Sequence, residues 1–305
     1  MDSNYRYYSN PQQHESHDVI FKRSAAIIEE IRDVLASKEE DLVNVYADFT
    51  VESMAHLIFG SNMQEKAGMG LDQTIKLCHR VFAGEDVDPE NYQQHVIRSR
   101  REVIQHAKAL KHITDKALLE DEQLSDQLIQ DTHRILCENI AIKGDEEGHY
   151  AGRYREINVM AGNTAFCHPD TIRYHMNIFI DDFNKDIENR DHTKHLDPFY
   201  LAADVCQDFV LIHPFRDGNG RMCRLLANAF LIKYAGIVIS IGEHDEDRKQ
   251  YLDIAMMAGE PEREEEALGT LGGFFLEKAD RTLRELKERL QETRRGLDSV
   301  SHTKK

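Results

Sequence analysis

No two cysteines of this 305-residue chain form a Cys-x-x-Cys pair. The five present, Cys78, Cys137, Cys167, Cys206 and Cys223, are odd in number and scattered. That pattern argues against a disulfide framework or a cysteine zinc site and points to reduced thiols in a reducing compartment. Cations are also scarce. Lys and Arg number 38 against 55 Asp and Glu, a net charge of −17, whereas a phosphate-backbone binder needs clustered cations. An acidic shell repels anionic ligands too, so any anion site must carry its own focused cations. There is no apolar run of membrane-spanning length, and the opening "MDSNYRYYSNPQQHESHD" lacks the apolar centre of a signal peptide. No internal repeat is apparent. The expectation is a cytoplasmic or nuclear protein with neither nucleic acid nor membrane as partner.

What is present suits a globular protein, with 41% hydrophobic and 30% charged residues. Residues 1–18 are polar and expected to be flexible. Helical spacing follows from Val19 to Ser37 and from Leu42 to Phe59. Glycines at 60, 68 and 70 then interrupt, and Ser61 between them reads as the cap of a short helical turn with Gln64 at the capping-box position. Val96–Ile113 reads as a helix, as does "LSDQLIQDTHRILCE" with Ser125 as its N-cap. Only "EINVMAGNTAF" alternates like strand, giving a short hairpin. Pro169 and Pro198 open further helices. "RMCRLLANAFLIKYAG" is a buried helix closed by Gly236. "EREEEA" is an exposed helix start, followed by a last helix with a fraying tail. The expected fold is mostly α with one small hairpin.

Chemistry concentrates in "HPFRDGNGR", His213–Arg221. Gly218, Asn219 and Gly220 precede a helix, where free backbone N–H groups and a partial positive charge make an anion nest. Arg221 and Arg224 stand three apart on that helix's first turn. Cations there disfavour the helix itself, a cost that a polyanionic ligand would offset. Asp217 suits Mg²⁺ beside a phosphate chain. His213 can take a proton near neutral pH. Phe215 is expected to turn inward. Taken singly, each residue is more simply a tight helical connection. Together they match the needs of phosphoryl or nucleotidyl transfer.

"HPFRDGNGRMCR" resembles the Fic family signature at every specified position. "YAGRYRE", the hairpin stretch and "HPDTIRYHMNIFIDDFN" resemble the family's flap and following helix, and "DRKQYLDIAMMAGE" its pocket-closing helix. The resemblance spans about 124–283, with 19–123 as an N-terminal helical region and 284–305 as a C-terminal helix and tail. It implies a Fic-like helical core, ATP as substrate, Mg²⁺ as cofactor, and transfer of AMP to a Ser, Thr or Tyr hydroxyl of a protein docked on the flap near 157–166. His213 would be the base and Asp217 the metal ligand. Gly218, Asn219 and Gly220 would cradle phosphates. Arg221 and Arg224 would hold the β- and γ-phosphates, and Tyr251 would line the adenine pocket. Gly259 stands where a relative carries Asn.

"SNMQEKAG" resembles the family's inhibitory helix, in the type that precedes the core. Ser61 and Glu65 have its spacing, and Glu65 would pair with Arg224. The departure is Lys66, where Gly or Asn is the rule. If that residue adopts the left-handed conformation, Lys costs more than Gly. The alternatives are a surface role for Glu65, removal of AMP by the same site, or a nucleotide-binding module without turnover. His192 and His195 have metal-pair spacing but stand in a loop-like stretch. His14 and His17 read as solvated, and Met256 and Met257 as core. Leu283, Leu286 and Leu290 pack on the body or on a second subunit, a possible homodimer.

Overall fold

The computed structural model describes residues 5, 15–87, 94–161, 164–193 and 196–303. Among them the chain is mostly α-helical, with one two-stranded hairpin. Helix α1 (His17–Ser37) buries Ile20, Ile27, Ile31 and Val34 along one stripe. Most of the N-terminal stretch expected to be flexible lies outside the described residues. Its described residues include some that are ordered against that expectation. Tyr5 is buried, with its hydroxyl on Asp197, and His17 starts α1 with its ring against Tyr5.

Helix α2 runs Glu40–Gln64, five residues beyond the expected stop. Gly60 does not break it, and Ser61 caps nothing because it is buried inside the helix. Packing explains the difference. A Cβ on Gly60 would stand 2.7 Å from the Ile241 carbonyl oxygen, so glycine lets α2 lie against that chain. The close packing outweighs the cost of about 1 kcal/mol for a helical glycine.

Helix α3 (Leu71–Phe82) falls in a stretch the sequence left unassigned, and α4 covers Gln94–Leu118. Helix α5 (Asp126–Cys137) starts as expected, with Ser125 Oγ accepting from the Leu128 N–H at 3.1 Å. Strands β1 (Met160–Ala161) and β2 (Thr164–Ala165) pair antiparallel, Met160 opposite Ala165. Their Gly-Asn turn lies outside the described residues. A 3₁₀ turn at Pro169 leads into α6 (Ile172–Thr193). Asp197 caps α7 (Pro198–Ile212) by accepting from the N–H groups of Phe199 and Tyr200. Helix α8 (Asn219–Ala235) closes at Gly236, φ 69°.

Helix α8 is the buried axis of the molecule, packed by α7, α4 and α2. Helices α9 (Asp245–Ala258) and α10 (Glu264–Thr303) complete the fold. Helix α10 crosses α7 and α1, and it runs on into the tail expected to fray. Leu283, Leu286 and Leu290 are buried on the body of the same chain. Met256 corrects its expectation, being 63% exposed rather than core. No helix among the described residues is long and apolar enough to cross a membrane.

Candidate active site

Helix α7 ends at His213 in the left-handed conformation, φ 51°, and Pro214 turns the chain away. Phe215 is fully buried and stacks face to face on His133, ring centroids 3.6 Å apart. The Asn219 side chain closes the loop on itself. Its Oδ1 accepts from Phe215 N–H at 2.9 Å and its Nδ2 donates to Phe215 O at 2.8 Å. The side chain is thus occupied with scaffolding, which leaves the backbone N–H for an anion nest. Gly218 at φ 79° is required twice over. Its conformation favours glycine, and a Cβ there would come within 3.1 Å of Cys137 Sγ and 3.3 Å of His133 Nε2.

His133 went unnoticed in the sequence. Its Nδ1 accepts from Gly152 N–H at 2.9 Å, so Nε2 carries the proton and donates to the Asp217 carbonyl at 2.9 Å. Burial pushes its pKa down to about 3, so the ring is a neutral brace for the loop. Asp217 Oδ1 accepts from Gly218 N–H at 2.8 Å, while the carboxylate stays 43% exposed. Lone pairs therefore remain for a metal. Among the described residues no three His, Cys, Asp or Glu side chains could hold one together. A cation here would rest on Asp217 and on ligand oxygens, as Mg²⁺ does beside phosphates.

His213 Nδ1 donates to Val210 O at 3.2 Å, which leaves Nε2 with its lone pair. The ring stacks on Phe166 at 3.8 Å. Burial lowers its pKa, and the Arg155 cation adds to that effect. The imidazole is neutral at pH 7, the form a general base needs.

Arg221 and Arg224 are both buried, and they differ in their partners. Arg221 Nη2 stands 3.6 Å from Asp217, and its Nε and Nη1 have no hydrogen-bond partner among the described residues. All three nitrogens of Arg224 are engaged by the end of α2. Its Nε donates to Ser61 Oγ at 2.8 Å and its Nη1 to Gln64 Oε1 at 3.2 Å. Its Nη2 donates to Ser61 O at 3.1 Å and to Glu65 Oε1 at 2.7 Å. A Cβ on Gly220 would run into the Glu65 carboxylate, so that carboxylate lies against the glycine nest. The sequence missed Gln64, whose Nε2 also donates to Ile241 O at 3.1 Å. Its capping-box position concealed this role.

Helix α2 ends in a Schellman motif. Ala67 N–H reaches Asn62 O at 2.9 Å and Lys66 N–H reaches Met63 O at 3.2 Å. Lys66 takes the left-handed position, φ 54°, at about 1–2 kcal/mol above an ordinary helical residue.

Tyr251 joins the cluster under Arg224, whose guanidinium lies 5.8 Å from the ring centroid. Its hydroxyl sits 3.5 Å from both Cys206 Sγ and Cys223 Sγ. Gly259 abuts the Thr164 side chain of the hairpin, so a larger residue there would have to shift that side chain. The His195 side chain and that of His192 lie outside the described residues.

The sequence profile of the Fic/DOC family matches residues 123–231. A Fido domain-containing protein of Dictyostelium discoideum is 43% identical over 83 residues, 27% of this chain and 55% of that protein. The protein adenylyltransferase Fic of Nematostella vectensis is 31% identical over 178 residues, 58% of this chain and 37% of that protein. The chain thus spans little more than half, or less, of the length of these curated relatives. Among solved structures, a Fic domain containing signaling protein from Bacteroides thetaiotaomicron superposes with a TM-score of 0.67 at 23% identity, covering 90% of this chain and 98% of that one. Fic-1 from Caenorhabditis elegans gives 0.66 at 20% identity, over 91% and 73%. The shared fold therefore extends to the helices on both sides of the matched profile.

Proposed function

The chain belongs to the Fic/DOC family, and from that premise we propose that it is a protein adenylyltransferase held back by its own α2. One observation carries the reading. A buried arginine, Arg221, stands on the first turn of the helix that follows the glycines, and its Nε and Nη1 have no hydrogen-bond partner among the described residues. A guanidinium buried in that state is costly unless an anion completes it. A nucleotide triphosphate supplies such an anion.

In this reading His213 Nε2 takes the proton of a target hydroxyl. That oxygen then attacks the α-phosphorus of ATP, and pyrophosphate leaves. The backbone N–H groups of Gly218, Asn219 and Gly220 receive charge as it develops. Arg221 and Arg224 hold the outer phosphates, and Tyr251 bounds the base side. Asp217 would hold Mg²⁺, which supplies charge neutralisation to the phosphates when bound. The target is a protein Ser, Thr or Tyr docked along the hairpin near 157–166. Glu65 engages the guanidinium that the γ-phosphate needs, as Arg favours carboxylate partners. A second reading uses the site in reverse. The Glu65 carboxylate, 38% exposed beside the nest, could orient water to remove AMP from a modified protein.

The test is labelled ATP with the purified chain and with a cell lysate, with AMP adducts sought by mass spectrometry. His213→Ala should lower transfer about 10²- to 10⁴-fold while calorimetric ATP affinity stays within about twofold, the span left by an intact phosphate cradle. Transfer at the wild-type rate in that variant would remove His213 from the mechanism. AMP released from a modified protein, lost in Glu65→Gly, would favour the reverse reading.

A further inference from the structure

A further buried arginine lies beside His213, and it donates to backbone carbonyls and to the Cys167 sulfur. Arg155 is 4% exposed. Its Nε donates to His213 O at 2.8 Å, its Nη1 to Ile157 O at 2.9 Å and its Nη2 to Cys167 O at 2.7 Å. Its backbone N–H reaches Pro214 O at 2.9 Å. No carboxylate pairs with it among the described residues. A buried cation without a counter-ion is expensive, and the position of this one is informative. Ile157 precedes β1 and Cys167 follows β2, so one planar guanidinium ties both roots of the hairpin to the backbone of the candidate base.

That backbone needs holding. His213 is a non-glycine residue at φ 51°, a conformation that persists only where surroundings over-determine it. Two restraints come from α7 itself, the His213 N–H on Phe209 O at 3.1 Å and Nδ1 on Val210 O. The Phe166 ring adds stacking from the hairpin side. Among the described residues, Arg155 is the side chain that donates to the His213 carbonyl. Three charged groups act on the imidazole: Arg155 from the segment before the hairpin, Glu65 from the end of α2, and Asp217 from the loop. Arg155 opposes protonation and the two carboxylates favour it.

We propose that Arg155 is a positioning residue that holds the His213 backbone in its left-handed conformation and fixes the hairpin in register with the base. It rests on the adenylyltransferase reading for its catalytic consequence and on the geometry alone for its effect on His213. The three donors of a planar fork reach three carbonyls that a lysine ammonium cannot reach together. The positive charge, by contrast, is shared by Arg and Lys. Geometry and charge can therefore be separated by two substitutions.

The experiment uses the full chain as wild type, Arg155→Lys and Arg155→Gln, each checked for folding by thermal melting. The His213 imidazole is titrated by NMR, MgATP affinity is measured by calorimetry, and self-modification is followed with labelled ATP. Both variants should lose about 10- to 100-fold in transfer, the scale of a small misplacement of a reacting group, at unchanged MgATP affinity. Only Arg155→Gln should move the His213 titration to higher pH, because it alone removes the cation. If Arg155→Gln fails to fold, Arg155→Lys still decides the geometric claim. Wild-type transfer in Arg155→Lys overturns the positioning role, and so does equal loss of nucleotide affinity and transfer. A His213 titration unmoved by Arg155→Gln overturns the charge effect. Absence of transfer in both the wild type and Glu65→Gly would sink the adenylyltransferase reading instead, while the NMR comparison still judges Arg155.

Discussion

The loop His213–Gly220 and the end of α2, Ser61–Gly68, face each other across Arg224 and are built by opposite rules. Each has a residue in the left-handed region where it meets a helix terminus. Where the loop enters α8 that residue is Gly218, which the conformation favours and beside which Cys137 and His133 leave little room for a side chain. At the end of α2 it is Lys66, which the conformation disfavours. The loop closes on itself at its centre through the hydrogen bonds of Asn219 and Phe215, with His133 and Arg155 bracing it from outside. The end of α2 is held from outside, by Arg224, by Ile241 through Gln64, and by His106, whose Nδ1 meets Asn62 Oδ1 at 3.0 Å. A motif that must keep its shape with or without ligand carries that shape locally. A segment that must be displaced by a ligand gains from depending on contacts the ligand can replace.

The comparison breaks most visibly at Gly218. Gly218→Ala should cost roughly 2–4 kcal/mol of stability, combining left-handed strain with the clash against Cys137 and His133. Denaturant unfolding measures it, and a cost under half a kilocalorie would mean that the loop is softer than its hydrogen bonds imply. Next comes the contact that joins the regions. Glu65→Gly should raise AMP transfer about 5- to 150-fold, the span of a 1–3 kcal/mol coupling. Adding Arg224→Ala should cancel the gain, because the γ-phosphate then has no cation. Self-modification with labelled ATP reads both, and unchanged transfer in folded Glu65→Gly leaves Glu65 without an inhibitory role.

Lys66→Gly sharpens the contrast by giving α2 the residue its Schellman motif favours. A gain of about 0.5–1 kcal/mol is expected, the left-handed relief less the entropy of glycine. The melting temperature should rise and transfer should fall, since the inhibited arrangement is the one stabilised. A rise in transfer would show that Lys66 itself supports inhibition.

The smallest effect is a pH dependence in the strap behind α2. His56 Nδ1 lies 3.1 Å from Glu243 Oε1, and Ser240 Oγ donates to His56 O at 2.9 Å. The hydrogen bond to Glu243 raises the His56 pKa above its ordinary 6.5. Burial opposes ionisation of Glu243, but its bonds to His56 and Ser240 prevail and hold it below its ordinary 4.5. The His56 contribution is full below 6.5 and is lost as pH rises through its folded value. The Glu243 contribution is full above 4.5 and is lost as pH falls through its folded value. The pair therefore stabilises most between these pH values, by under about 1 kcal/mol given its partial exposure. His56→Gln should lower the melting temperature more at pH 6 than at pH 9. Equal losses at both would assign His56 a packing role only.

Much of this molecule was legible as sequence because its signals are local. Ser125, Pro198 and Gly236 mark helix ends through capping and fixed φ. The spacing of Leu283, Leu286 and Leu290 marks a buried face, and Gly218–Gly220 before the basic turn of a helix marks an anion nest. Gly60 misled for the same reason. Read locally, a glycine beside Ser61 ends a helix, and only the Ile241 carbonyl packed against it shows why the helix continues. Ser61 and Glu65 stood out through the resemblance to an inhibitory helix, but Gln64 did not, because its partners Arg224 and Ile241 lie 160 and 177 residues away.

What the sequence by itself determined is the inventory and its local shapes: the histidine, the carboxylate, the two arginines, the glycine turn and the helices that carry them. The tertiary structure alone decided how these groups are coupled. It left Nε and Nη1 of Arg221 without a hydrogen-bond partner among the described residues and surrounded Arg224 with α2, set His133 in a single tautomer under Asp217, and placed Arg155 between the hairpin and His213. Backbone conformation and capping depend on neighbours in the chain. Desolvation, ion pairing and tautomer choice depend on neighbours in space, which for these residues come from helices far apart in sequence.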